Sequence, residues 1–198
     1  MALRHAQTAL SLAEAHGIDR YRVLLLADMA WTHLQMGHAD AAVADFQDLL
    51  VHLGSNLRLG QARARAMSGL TAALVAAGRV NDAMQGAVRT ARALQLENLL
   101  RSRCEIFAWL AAACGAGQTA AQLLGASEDF ATRSETEPDP IALLARSRAL
   151  ALIDTALSVD DRAYWQAQGA AADPRALMHL LEQTFATPTA RISQELEA

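Results

Sequence analysis

No proline interrupts the first 137 residues of this chain, and apolar side chains recur there at spacings of three and four. A proline inside a helix removes a backbone hydrogen bond and clashes with the turn before it, so its absence leaves long helices open. The periodicity gives each such helix one apolar stripe to bury. Ala and Leu together number 75 of the 198 residues, Ile and Val only 12. β-Branched side chains lose rotamer freedom in a helix that Ala and Leu keep. The chain is therefore expected to be all-α. With 53% hydrophobic and 19% charged residues, it has the apolar material for a packed core.

Breaks in the pattern fall at Gly17, Gly37, Gly54–Asn56, Gly78, Gln95–Glu97, Gly115–Gly117, Ser134–Pro138, Ser158–Asp160 and Gly169–Asp173. The helices expected between them cover 2–16, 19–36, 39–53, 57–77, 80–95, 97–114, 118–133, 140–157 and 173–186, with a shorter one at 160–168. Asp139-Pro140 and Asp173-Pro174 each place an N-cap residue before a proline at the first helical position.

The breaks are also periodic. Aligned on Gly37, Gly78 and Gly115, the positions seven before are Ala30, Thr71 and Ala108, and those five after are Ala42, Ala83 and Ala120. Nine after stand Phe46, Ala87 and Leu124; eight before, Met29, Leu70 and Phe107; eleven before, Leu26, Met67 and Cys104. The small residues allow close approach within a hairpin, the large ones fill the seam, and each glycine ends its first helix as a left-handed cap. This pattern resembles tetratricopeptide-like hairpins, although the spacings are 41 and 37 residues rather than the usual ~34 and the closing proline is missing. The resemblance implies a right-handed α-solenoid of degenerate repeats over 1–134 with a first repeat that is incomplete. Capping helices of the same domain are expected over 135–186 and a flexible tail over 187–198. Helix 2–16 reads as the second helix of a hairpin, which suggests a piece of a longer protein. The alternative is a homodimer covering the uncapped N-terminal edge.

Two stretches carry more detail. Gln118–Arg133 contains Ala120, Ala121, Leu123, Leu124, Gly125, Ala126 and Glu128, and Val159–Phe185 contains Trp165, Gly169, Asp173 and an apolar helix over 176–181. They resemble the C-terminal repeat region of large bacterial ATPase-type, LuxR-like transcriptional regulators. The resemblance implies a regulatory scaffold that receives a signal and restrains or releases ATPase and DNA-binding parts lying outside this sequence.

Chemistry is largely excluded by what is missing. All 17 basic residues are Arg, so a phosphate-cradling P-loop lysine, a Schiff-base lysine and a Ser-x-x-Lys nucleophile cannot form. None of the six histidines has the spacing that places two imidazoles on one helix face; His33, His38 and Asp40 flank one turn and read as polar turn residues. Ser68-Gly69 lacks a nucleophile-elbow frame, and Gly115-Ala-Gly117 follows no strand. Cys104 and Cys114 read as buried small hydrophobes ~15 Å apart on one helix, consistent with a reducing cytoplasm. Neither a targeting segment nor a membrane span is visible. No enzyme, no cofactor and no metal are expected.

Charge is uneven. Residues 57–103 carry eight Arg against two acids, while acids dominate both flanks and the total is −4. One reading is that the solvated faces of successive helices neutralise one another. The other is a nucleic-acid-binding superhelix using Arg58, Arg63, Arg65, Arg79, Arg89, Arg92, Arg101 and Arg103. The leading expectation is a protein-interaction and sensor module binding a peptide, a helix or a small ligand on its concave face. In tetratricopeptide-like stacks that face is lined by the first helix of each pair. The register then selects Leu24, Ala27, Trp31 and Leu34 from one hairpin, Arg65, Ser68, Ala72 and Val75 from the next, and Ser102, Glu105 and Trp109 from the third, with the two tryptophans as anchors.

Overall fold

The computed structural model describes residues 2–17, 19–54, 59–134 and 139–186, and the tail expected over 187–198 lies outside them. Ten α-helices run along the described residues, with no strand among them: α1 (Ala2–Ala15), α2 (Asp19–Gln35), α3 (Ala39–Leu53), α4 (Gly60–Ala76), α5 (Val80–Leu96), α6 (Cys104–Ala113), α7 (Gly117–Ser134), α8 (Pro140–Ala156), α9 (Val159–Ala171) and α10 (Pro174–Phe185). No helix among them is long and apolar enough to cross a membrane.

One expectation needs correcting. The helix read over 97–114 starts only at Cys104, after a 3-10 turn at Arg101–Arg103. Asn98 takes a left-handed conformation at φ 58°, and Leu99 N–H bonds back to the Leu94 carbonyl at 2.8 Å, which closes α5. The chain then needs one tight turn before it can enter α6.

The three glycine turns are uniform. Gly37, Gly78 and Gly115 have φ of 78°, 73° and 80°. After each, the next residue bonds back five positions: His38 to His33, Arg79 to Leu74 and Ala116 to Ala111, at 2.8–2.9 Å. These are Schellman closures, and they need the left-handed residue that glycine supplies without strain. The register derived from them places Ala30, Thr71, Ala108, Ala42, Ala83, Ala120, Phe46, Ala87 and Leu124 all at 3% exposure or less. Leu70 and Met67 are half-buried instead.

The chain forms two compact units, Met1–Arg79 and Val80–Ala198. In the first, α1 packs on α2, α2 on α3 and α3 on α4. In the second, α6 packs on both α7 and α8, and α10 on α5; the most extensive pairing is α7 with α9. At that crossing two glycines replace side chains. A Cβ added to Gly125 would overlap the Gln166 carbonyl and stand 2.8 Å from its Cα, and one added to Gly169 would do the same to Gln122 at 2.7 Å. The starts of α8 and α10 are the two Asp-Pro caps. Asp139 accepts from Ile141 and Ala142 N–H at 3.1 and 2.8 Å, and Asp173 accepts from Arg175 and Ala176 N–H at 2.9 and 2.8 Å.

Candidate functional site

The groove positions sort by depth along their helices. Leu24 and Arg65, which start the series in their hairpins, are exposed, and Ser102 is half-buried. Leu34, Ser68, Val75, Glu105 and Trp109 are buried, so their side chains are not offered to a partner. The reason differs from case to case. Ser68 Oγ turns back to donate to the Arg65 carbonyl at 2.8 Å. Ser102 lies in the 3-10 turn and donates to the Leu99 carbonyl, so helical spacing carried back from Trp109 loses register there. Trp109, 7% exposed, sits on α6, which packs on both α7 and α8. Trp31 is half-buried. Its ring meets Phe46 edge-on at 4.7 Å, and its Cη2 would stand 2.7 Å from a Cβ added to Gly69. It is a seam residue joining α2, α3 and α4 rather than a free anchor.

The polar groups of the second unit are drawn inward. Glu105 on α6 is buried, and Ser127 Oγ on α7 donates to its Oε1. Glu105 Oε2 is buried with no hydrogen-bond partner. Burial pushes its carboxyl above the ordinary carboxylate range, and the Ser127 bond, its own backbone N–H and the Arg103 charge pull only partly against that. Arg103 pairs in charge with Asp139, although its Nε and Nη1 are not aligned into hydrogen bonds. The Cys104 thiol, fully buried, donates to the Leu100 carbonyl at 3.3 Å, and burial raises its pKa, so it stays a thiol. Cys114 is half-buried rather than buried.

Much of the basic stretch is neutralised from within. Arg92 bonds Glu182 at 2.7 Å, Arg101 bonds Asp129 at 3.0 Å, and Arg103 faces Asp139. Arg63 donates to the Gly54 carbonyl. Arg65 and Arg89 are exposed, and Arg58 lies outside the described residues. In the first unit His33 Nδ1 stands 2.6 Å from Asp45 Oδ2, which ties α2 to α3, while Asp40 is exposed. Among the described residues no three His, Cys, Asp or Glu side chains gather in a way that could hold a metal.

Sequence reasoning missed a cleft in the second unit. It has a volume of about 480 Å³ and opens where the end of α5 and the 3-10 turn meet α7 and the start of α10. Leu100, Phe130 and Pro174 make its apolar wall, and Arg101 and Arg175 bring two guanidinium groups. Arg101 Nη2 donates to Asp129 Oδ2 at 3.0 Å and to the Ala170 carbonyl at 3.4 Å, while its Nε is buried without an acceptor. The carboxylate in the lining, Asp173, is engaged in capping α10. The arrangement can hold and orient a ligand that accepts hydrogen bonds. Its parts come from three separated stretches of sequence, and the visible signals were only the Asp173-Pro174 cap and Asn98, which also lines it.

Comparison with family models, with curated proteins and with solved structures gives no match to this chain.

Proposed function

We propose that the chain is a non-catalytic interaction and sensor module of a bacterial ATPase-type transcriptional regulator, working in the cytoplasm. In this reading its hairpins are degenerate tetratricopeptide-like repeats stacked with a right hand. The observation that carries it is the α7–α9 crossing. The two stretches resembling the C-terminal region of those regulators, Gln118–Arg133 and Val159–Phe185, are well apart in sequence. Yet they meet through Gly125 and Gly169, one from each motif. A likeness of composition alone gives no reason for two glycines to lie opposite each other at the one crossing that needs both.

Such a module binds through what packing leaves over. In the first unit those groups are apolar: Leu12 on α1 and Tyr21 and Leu24 on α2 are 56%, 59% and 52% exposed. Tyr21 and Leu24, three residues apart, share one helix face. An exposed apolar face at that spacing suits an amphipathic helix of a partner protein, which in the regulator reading comes from the ATPase or DNA-binding part of the same polypeptide. A phosphate-binding superhelix has less support, because Arg92, Arg101 and Arg103 already face acids.

The test starts from the complete reading frame. The ATPase part it encodes, expressed separately, should bind this chain, and Tyr21→Glu with Leu24→Glu should weaken binding by about tenfold or more, or ~1.4 kcal/mol, with the helical signal unchanged. A reading frame without such a part, or binding indifferent to both substitutions, overturns the proposal.

A further inference from the structure

We infer that the cleft of the second unit binds a small organic monocarboxylate with an aromatic or aliphatic body. The inference is independent of the protein-partner reading above, since it uses none of the first unit's residues. It begins with an unfilled donor. Arginine carries five N–H groups and no acceptor, so every partner it takes must be an acceptor. Arg101 uses Nη2 on Asp129 and on the Ala170 carbonyl and its Nε is closed off from solvent, which leaves Nη1, without a hydrogen bond among the described residues, as the donor a ligand in the cleft can reach. Carboxylates match a guanidinium edge with paired, charge-assisted bonds.

The second guanidinium, Arg175, is exposed and makes no ion pair among the described residues. Two acids stand nearby, and both have assigned work. Asp129 fixes the Arg101 guanidinium, and Asp173 sits on the first N–H groups of α10, where the helix dipole offsets its charge. Two arginines against two acids leave the cleft near neutral. That favours a single negative charge over a phosphate dianion. Leu100, Phe130 and Pro174 give the ligand's apolar body a wall to lie on, and Gln95 and Asn98 add amides at the rim. The volume suits a small molecule rather than a peptide helix.

Benzoate tests this on the whole chain, with benzamide as its uncharged counterpart and inorganic phosphate as an anion without a body. Backbone amide shifts of Asn98, Phe130 and Arg175 report occupancy. Benzoate should shift them saturably, benzamide and phosphate should bind about tenfold more weakly or worse, and Arg175→Gln and Phe130→Ala should each weaken benzoate by about fivefold or more. Arg101→Gln also cuts the link from α7 to the Ala170 carbonyl and can fail to fold, so the exposed Arg175 variant carries the decision. Benzamide binding as well as benzoate, phosphate binding better, benzoate binding unchanged in Arg175→Gln, or no saturable shift each overturns the inference.

Discussion

Gly125 on α7 and Gly169 on α9 bring two antiparallel helices into backbone contact, each glycine lying against the residue three positions before the other: Gly125 against Gln166, Gly169 against Gln122. The contact is symmetric, and neither half tolerates a methyl group. Alanine is the better helix former by ~1 kcal/mol, so the sign of a Gly→Ala change is decided by space alone. Gly125→Ala and Gly169→Ala should each destabilise by about 1–3 kcal/mol net, since the obstacle is backbone and not a movable side chain. Gly86 on α5, with nothing within 4 Å of an added Cβ, is the matched control. Gly86→Ala should stabilise by about 0.5–1 kcal/mol. Urea unfolding of the three variants checks all of this, and equal midpoints would refute the crossing.

Gly78 tests the turns. No atom lies within 4 Å of a Cβ added there, and φ is 73°. Gly78→Ala therefore isolates the cost of left-handed backbone, and should lower stability by about 1–2 kcal/mol. Asn98, at φ 58°, holds the corresponding place after α5. Asn98→Gly should be neutral or stabilising, and Asn98→Ala should cost about 1 kcal/mol or more. Thermal unfolding of the three variants is the measurement.

These turns also show what the sequence made legible. Glycine is nearly obligatory where φ is positive and a helix must stop, so three glycines marked the helix ends and the buried small positions around them followed. Asn98 does the same task less visibly, because asparagine has many other uses, and the start of α6 was accordingly misplaced. The depth of the groove residues was less legible, for another reason. Helical register says which residues share a face, but not what other helices lay over it. Phe46 comes from α3 and Gly69 from α4, and neither position marks itself as the cover of Trp31. The cleft was out of reach because nothing periodic links Arg101, Phe130 and Arg175.

Trp31 now carries a different expectation. Wedged between Phe46 and the bare backbone of Gly69, it contributes packing area to the first unit. Trp31→Ala should cost about 3 kcal/mol, the lower end for an aromatic truncation, because the ring is only half-buried. Gly69→Ala should push against both rings, destabilise by about 1–3 kcal/mol, and change the tryptophan fluorescence. If Trp31→Ala unfolds at the parent's temperature, the seam is not what holds this unit.

Glu105 makes stability depend on pH in a sense opposite to most carboxylates. Its folded-state pKa is raised, chiefly by burial, against an unfolded value near the ordinary 4.5. A raised acid binds its proton more tightly in the folded chain than in the unfolded one. Its contribution to stability is thus fully present below about pH 4.5 and is lost as pH rises through the folded value. Above that range the fold holds a buried charge whose Oε2 has no hydrogen-bond partner. Glu105→Gln should abolish this term. The amide oxygen keeps an acceptor for the Ser127 hydroxyl, and no charge develops. The variant's melting temperature minus the parent's should be smallest near pH 4 and grow as pH rises through the folded Glu105 value. The other acids titrate alike in both proteins and cancel in the difference. Ser127→Ala should move the parent the opposite way, because that bond lowers the Glu105 pKa and favours the ionised form. Its loss should deepen the decline of stability with rising pH. A difference between Glu105→Gln and the parent that stays flat across this range would mean that the carboxyl is not held protonated by its burial between α6 and α7.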